Sequence, residues 1–302
     1  MIKKFKNINR DQLQLYLLLL PFIIWYLVFM FKPMYGLVIA FKDYSVFKGI
    51  SGSEWVGLKN FQIFLTSPEF YRTLKNTILL NVYSLIFEFP FAILLALMLN
   101  EVKNKIFKSF VQTASFLPYF IAVVVAVGIL TNMLAPTTGV INVILEKLGF
   151  EKIYFLIKPQ YFRGIFVSLN IWKHTGFNAI IYLAALTSID GQLYEAAKID
   201  GASKLQQIRN ITIPGIMPTI IVMLILKVGS MLSVAFETVL LLYQPATYST
   251  ADVISTYVYR TGVLNNDFGL ATAVGLFNAV VAMTLVFSAN KISKKVTSLG
   301  IW

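Results

Sequence analysis

The chain has 302 residues, 57% of them hydrophobic and 13% charged, with a formal net charge of +12 and a mean hydropathy of +0.72. A soluble domain of this length carries roughly twice that share of charge, so the composition points to an all-α polytopic membrane protein built as one domain. No cysteine is present and His174 is the single histidine, which excludes disulfides, thiolate metal sites, cysteine nucleophiles and a histidine-rich metal site.

Residues 1–12 are polar and basic, with Lys3, Lys4, Lys6 and Arg10. Residues 13–31 are an apolar run long enough to cross a bilayer at ~1.5 Å per residue. A secretory leader is the competing reading, but its apolar region runs about 7–15 residues before small residues at a cleavage site. Here the run ends in Phe31-Lys32-Pro33, so an uncleaved first span is expected. Residues 32–76 are mixed, with turn signals at Gly49, Gly52, Gly57 and Ser67-Pro68. Further spans are expected over 77–99, 111–134, 164–187, 215–242 and 268–290, the fifth broken near its start by Pro218. Polar loops at 135–160 and 243–267 separate them, and the tail 291–302 carries Lys291, Lys294 and Lys295.

Six spans put both termini on one side. The segments 1–12, 100–109, 188–213 and 291–302 hold 13 Lys and Arg, whereas 32–76, 135–160 and 243–267 hold 10 in considerably more residues. Basic density favours a cytoplasmic N- and C-terminus, and with them a cytoplasmic 188–213 loop.

Within that loop, Gln192 to Pro214 reads as two short helices with a break between them. Leu193, Ala196 and Ala197 fall at i, i+3 and i+4 on one face, which the alanines keep small. Asp200-Gly201 is a turn signal, and glycine there suits a positive φ. Ser203 with Gln206 three positions on makes a capping box, and Pro214 opens the next apolar run. By pattern alone this is equally a docking element and an ordinary amphipathic loop.

Some chemistry is missing. No Gly-Lys dipeptide occurs, so the chain has no phosphate loop of the GxxxxGK[ST] type, and no G-x-S-x-G elbow appears. Charged residues inside expected spans cost about 2.5–3.5 kcal/mol each on insertion scales and usually face protein or water. They are Glu88, Lys173, Lys227 and Glu237, with His174 beside them. Helix-registering pairs, notably for Glu88 and Lys227, compete with a substrate path as their reason. A secondary transporter using Glu88 and Glu237 as ion-coupling groups, and a channel or scaffold, also remain open at this point.

Several motifs add a family. Glu195-Ala196-Ala197, Asp200-Gly201-Ala202 and Ile213-Pro214 resemble the EAA loop of membrane subunits of binding-protein-dependent ABC importers. The segments Trp55 to Phe61, Leu74 to Thr77, Phe116-Leu117-Pro118 and Gly139 to Asn142 are similar to carbohydrate permeases of the maltose-type superfamily. Thr212 to Ile220 looks most like the LplB-like oligosaccharide permeases. The resemblance implies a six-helix permease fold in which Glu195, Ala196, Ala197, Asp200, Gly201, Ala202 and Pro214 belong to a coupling helix docked on an ATPase. It implies a non-catalytic chain in a bacterial cell membrane, without a cofactor of its own, ATP and magnesium being held by the partner. Its other implied partners are a second homologous permease, two ATPase subunits, an extracellular lipid-anchored or periplasmic sugar-binding protein and a carbohydrate, with no nucleic acid. Sugar contacts in maltose-type importers correspond to His174, Phe177, Ser230, Met231 and Val234, with Trp172 matching an aromatic of the pattern. His174 replaces a glycine there, and Met231 and Val234 replace asparagines, so a maltose-like sugar is not implied. Lys173, Asn178, Tyr182, Ser233 and Glu237 complete the expected substrate path.

Overall fold

The computed structural model describes residues 10–229 and 235–297. Its first span is a continuous helical rod. Helix α1 (Arg10–Tyr26) passes into a π-type turn at Leu27–Phe31, a short α-turn at Lys32–Met34 and a 3-10 stretch at Tyr35–Phe41. The widened turn precedes Pro33, which has no N–H to donate and crowds the carbonyl four residues back. Residues 14 to 35 are exposed throughout. The rod joins the bundle at its 3-10 end, where Ala40 is buried and Asn60 donates to the carbonyls of Ala40 (2.9 Å) and Lys42 (3.0 Å). A two-residue antiparallel clip follows, β1 (Lys42–Asp43) with β2 (Glu54–Trp55), and Phe41 stacks on Trp55.

After α2 (Lys59–Thr66) the chain enters α3 (Pro68–Glu101), 34 residues long. Ser67 caps it by accepting the Phe70 N–H at 3.2 Å, and Pro68 takes the first position, where its missing N–H costs nothing. The helix therefore begins nine residues before the apolar run that foretold it at 77.

The expected third span over 111–134 is a broken one. Helix α4 (Lys105–Phe116) ends in a 3-10 turn at Leu117–Phe120, and α5 (Val123–Met133) leaves it bent by 102°. Pro118 cannot continue the α4 hydrogen-bond ladder. Two lone carbonyls at the break, those of Tyr119 and Ile121, accept from the Lys173 ammonium. Beyond α6 (Val140–Lys147), the buried Asn142 ties the 135–160 loop together: its amide donates to the carbonyls of Ala135 and Ile153, and it accepts the Ile153 N–H.

Helix α7 (Pro159–Thr187) packs along α3 in the most extensive helix pair among the described residues. The polar loop holds α8 (Gly191–Ile199) and α9 (Lys204–Gln207), and a π-type turn at Ile208–Thr212 leads into α10 (Ile213–Gly229). The expected fifth span over 215–242 thus stops at Gly229, and α11 (Phe236–Leu242) is a separate piece. The 243–267 segment, expected as an outer loop, folds back as a short turn at Tyr248–Ala251 and α12 (Ile254–Tyr259). Its Asp252 is fully buried between Arg72 (3.0 Å) and Arg260 (2.8 Å), with Thr256 donating to the other oxygen. Burial works against the Arg260 charge, but the hydrogen bond and attraction to Asp252 outweigh it, so its pKa is raised. Helix α13 (Phe268–Thr297) runs past the apolar stretch that ended at 290, because lysines are good helix formers and suit a helix C-terminus.

By length and composition four runs can cross a membrane, Gln14–Phe41, Pro68–Glu101, Lys204–Gly229 and Phe268–Lys295, and the bent α4–α5 pair makes a fifth. Helix α7 is more polar but 29 residues long, ~43 Å at 1.5 Å per residue, and with it the architecture is compatible with six spans.

Candidate functional site

Helices α3 and α7 carry polar residues toward the same space. On α3, Asn81, Ser84 and Glu88 fall at i, i+3 and i+7; on α7, Phe166, Asn170, His174, Phe177 and Asn178 fall at i, i+4, i+8, i+11 and i+12. With Ala92 of α3, Tyr182 of α7 and Met223, Leu226 and Lys227 of α10 they line a cavity of about 450 Å³. The α4–α5 break adds Tyr119, which stacks on Phe177 with ring centroids 3.9 Å apart and planes 6° apart. Phe116 also lies near-parallel to Phe177 at 5.9 Å, and His174 stands edge-on to Tyr119 at 5.7 Å. The result is an aromatic platform with amide and hydroxyl groups around it, suited to a polar solute with an apolar face.

Across the cavity, Lys227 Nζ donates to Glu88 Oε2 at 3.1 Å. The two side chains are unequally covered: Glu88 keeps 7% of its surface, Lys227 30%. Isolated charges are costly in such a setting, and each lowers the other's desolvation cost.

The sequence-expected path residues separate into groups. His174, Phe177, Asn178 and Tyr182 line the cavity together. Lys173 instead turns to the broken helix and binds its backbone. Trp172 is 44% exposed on another face of α7, and Glu237 is exposed in the first turn of α11; neither lines this cavity. Ser230, Met231, Ser233 and Val234 lie outside the described residues. Tyr119, Asn81, Ser84 and Asn170 line the wall without having been expected. A helical polar stripe within an apolar run marks the last three, whereas Tyr119 depends on the helix break.

The polar loop is a small, fully capped scaffold. Asp190 caps α8 by accepting the Gln192 N–H at 2.9 Å. At its other end the Ala202 N–H donates to the Ala197 carbonyl at 2.8 Å and the Gly201 N–H to that of Lys198 at 3.1 Å, a Schellman closure with Gly201 at φ +74°. Ser203 and Gln206 form the capping box, Gln206 Oε1 accepting the Ser203 N–H at 2.7 Å. Tyr194 and Thr212 join hydroxyls at 3.0 Å, and the Gln207 amide donates to the Ala202 carbonyl. Glu195 and Ala196 are exposed, Ala197 is half-buried, and Pro214 is exposed at the start of α10. Leu193, Ile199 and Leu205 are exposed as well, Ile199 by 87%.

A broken-helix bundle with an internal polar cavity and a rigid external loop is the architecture of a transporter membrane subunit. Residues 88–298 match the family model for the inner membrane component of binding-protein-dependent transport systems, and the chain belongs to that family. It has the ABC importer permease fold. It is 46% identical over 292 residues to the polygalacturonan/rhamnogalacturonan transport system permease protein YteP of Bacillus subtilis, covering 97% of this chain and 91% of the relative. It is 43% identical over 295 residues to protein LplB of the same organism, covering 98% and 92%. A solved chain of the bacterial alginate ABC transporter, in complex with an alginate pentasaccharide-bound periplasmic protein, superposes with a TM-score of 0.91 at 48% identity, covering 99% of this chain and 100% of that one.

Proposed function

We propose that this chain is the permease subunit of an ATP-driven importer that moves an oligosaccharide from an external binding protein into the cell. The observation that carries the reading is the 188–213 loop. It spends every cap and turn device available on holding a short helix rigid, and it leaves Leu193, Ile199 and Leu205 uncovered on it. Large apolar side chains on an otherwise polar loop fit a protein partner. An ATPase is that partner in this reading, with ATP and magnesium on its side, and Glu195 through Ala202 and Pro214 forming the coupling element. A second permease completes the pathway. ATP binding closes the ATPases and turns the cavity toward the binding protein, and hydrolysis resets it.

The cavity supplies the sugar side: Phe177 and Tyr119 offer a stacking face, and Asn81, Asn170 and Asn178 offer hydrogen bonds. Relatives and a solved neighbour named for polysaccharide transport support a carbohydrate cargo. Lys173 serves that site indirectly, by holding the break that carries Tyr119. The basic-density argument places both termini and the coupling loop in the cytoplasm. An ion-gradient mechanism through Glu88 and Glu237 fits less well, because Glu88 is paired with Lys227 while Glu237 is exposed away from the cavity. The test is affinity purification of this chain from cells expressing its operon partners: a bound ATPase whose hydrolysis rises with sugar-loaded binding protein is the expected result. Recovery of a transport-competent chain with no ATPase would refute it.

A further inference from the structure

Helices α3 and α7 pack along each other, and on a face of that pair other than the cavity wall they leave a groove of about 530 Å³. Tyr83, Phe87 and Phe91 form one side of it, at i, i+4 and i+8 on α3. Tyr83 and Phe87 lie near-parallel with ring centroids 6.3 Å apart, and Phe87 and Phe91 are about half exposed. Gly164 and Ser168, one turn apart on α7, are exposed and keep the other side low. The rings cover ~12 Å of helix at 1.5 Å per residue, most of the ~15 Å depth of one hydrocarbon leaflet. Arg163 lines the end of the groove nearest Asp252. Three arginines gather at that end. Arg72 and Arg260 share the Asp252 carboxylate, whereas Arg163 Nη2 donates to the uncharged Asn76 Oδ1 at 3.1 Å. Among the described residues no ion pair includes Arg163, and its buried Nε–H has no acceptor. Glu69 and Asp267 line the pocket around Arg72 and Arg260, not this groove. A cation at the edge of a membrane is costly until an anion meets it.

We propose that this groove is a binding site for an anionic phospholipid, with the headgroup phosphate on the Arg163 guanidinium and one acyl chain laid along Tyr83, Phe87 and Phe91 over Gly164 and Ser168. Arginine meets phosphate oxygens through planar, charge-assisted hydrogen bonds. A zwitterionic lipid brings its own cation to the same place, so a net negative headgroup is favoured. The apolar length below the cation separates a lipid from a free anion, which uses Arg163 alone. A helix of the second permease is the competing occupant of such a strip, but it needs a carboxylate at membrane depth, where charge is costly. A phosphodiester stands at that depth in every bilayer. The leaflet is the one on the Asp252 side, the outer one in the orientation proposed above. The site is independent of the cargo and of the coupling loop.

Native mass spectrometry of the complete transporter in mild detergent, equilibrated with equal amounts of phosphatidylglycerol and phosphatidylcholine, counts the lipids retained. Wild-type protein is expected to hold phosphatidylglycerol in preference by about fivefold or more, a factor worth ~1 kcal/mol. Arg163→Gln should bring that ratio close to unity, and Arg163→Lys should keep most of it. Ser168→Phe leaves the guanidinium in place and fills the groove, and it should remove one tightly held lipid per copy of the chain. Should Arg163→Gln fail to assemble, Ser168→Phe decides. Undiminished lipid retention in Ser168→Phe overturns the site, as does a wild-type preference that survives Arg163→Gln, or equal wild-type retention of the two lipids. Displacement of the lipid by millimolar inorganic phosphate shows a plain anion site and overturns it too. So does cross-linking of Ser168→Cys to the second permease in place of bound lipid.

Discussion

Gly176 of α7 lies against the backbone of Ser115 in α4, so close that a Cβ at 176 would stand 2.1 Å from the Ser115 carbonyl oxygen. Backbone cannot yield as a side chain does. Gly176→Ala is expected to lower stability by about 1–3 kcal/mol or more, although alanine is the better helix former. Gly164, in the same helix with open space around it, is the control, and Gly164→Ala should be neutral or mildly stabilising. Thermal unfolding of the detergent-purified protein reads both, and equal melting of the two variants would show that α4 and α7 are not in contact there.

Lys173 holds the bend between α4 and α5 through two backbone carbonyls. Lys173→Met removes the donor and keeps the apolar stem, at an expected cost of about 1–3 kcal/mol in stability. Uptake should fall with it, because Tyr119 loses its position. A normal melting temperature with lost uptake would mean that Lys173 acts on the cargo itself.

Phe177 sits at the centre of the aromatic platform, stacked on Tyr119. Phe177→Ala should cut transport while leaving assembly intact, since a stacking face is worth about 1–3 kcal/mol of burial. Radiolabelled uptake at matched expression is the measurement, and wild-type uptake would remove the platform from the path.

The absence of natural cysteine makes topology directly measurable. Lys204→Cys should be shielded from a membrane-impermeant maleimide in intact cells, and Glu151→Cys should react. Both side chains are exposed, and the Lys204–Glu101 contact at 2.6 Å is a surface pair of little energetic weight. Labelling at 204 in intact cells would invert the orientation.

The helices were legible in the sequence where apolar runs and caps coincide. Ser203, Gln206 and Gly201 took the places that their turn chemistry foretold. The bend at Pro118 was not legible, because a proline in an apolar run reads equally as a kinked span and a broken one. The fold-back at 243–267 escaped for another reason. Its polar residues looked solvated, but Asp252 is buried by Arg72, 180 residues earlier in the chain, a pairing no local pattern carries. In the cavity, His174 and Phe177 were found through a resemblance and Asn178 through its hydrogen-bonding chemistry, whereas Asn81 and Ser84 join the intramembrane charge Glu88 in a stripe that helical spacing alone displays. Trp172 lies off that face because it precedes His174 by two residues, about 200° around the helix.

Ala196 tests the central claim, that the 188–213 loop couples this permease to an ATPase. It is exposed on a helix whose caps lie elsewhere, so Ala196→Trp has no reason to disturb the chain itself. A groove built to receive alanine would be overpacked by about 1–3 kcal/mol. Binding-protein-stimulated ATP hydrolysis of the reconstituted complex is the decisive measurement. The account predicts a loss of several-fold or more, with the permease inserted normally and sugar bound normally by the external protein. Full stimulated hydrolysis in Ala196→Trp would contradict it.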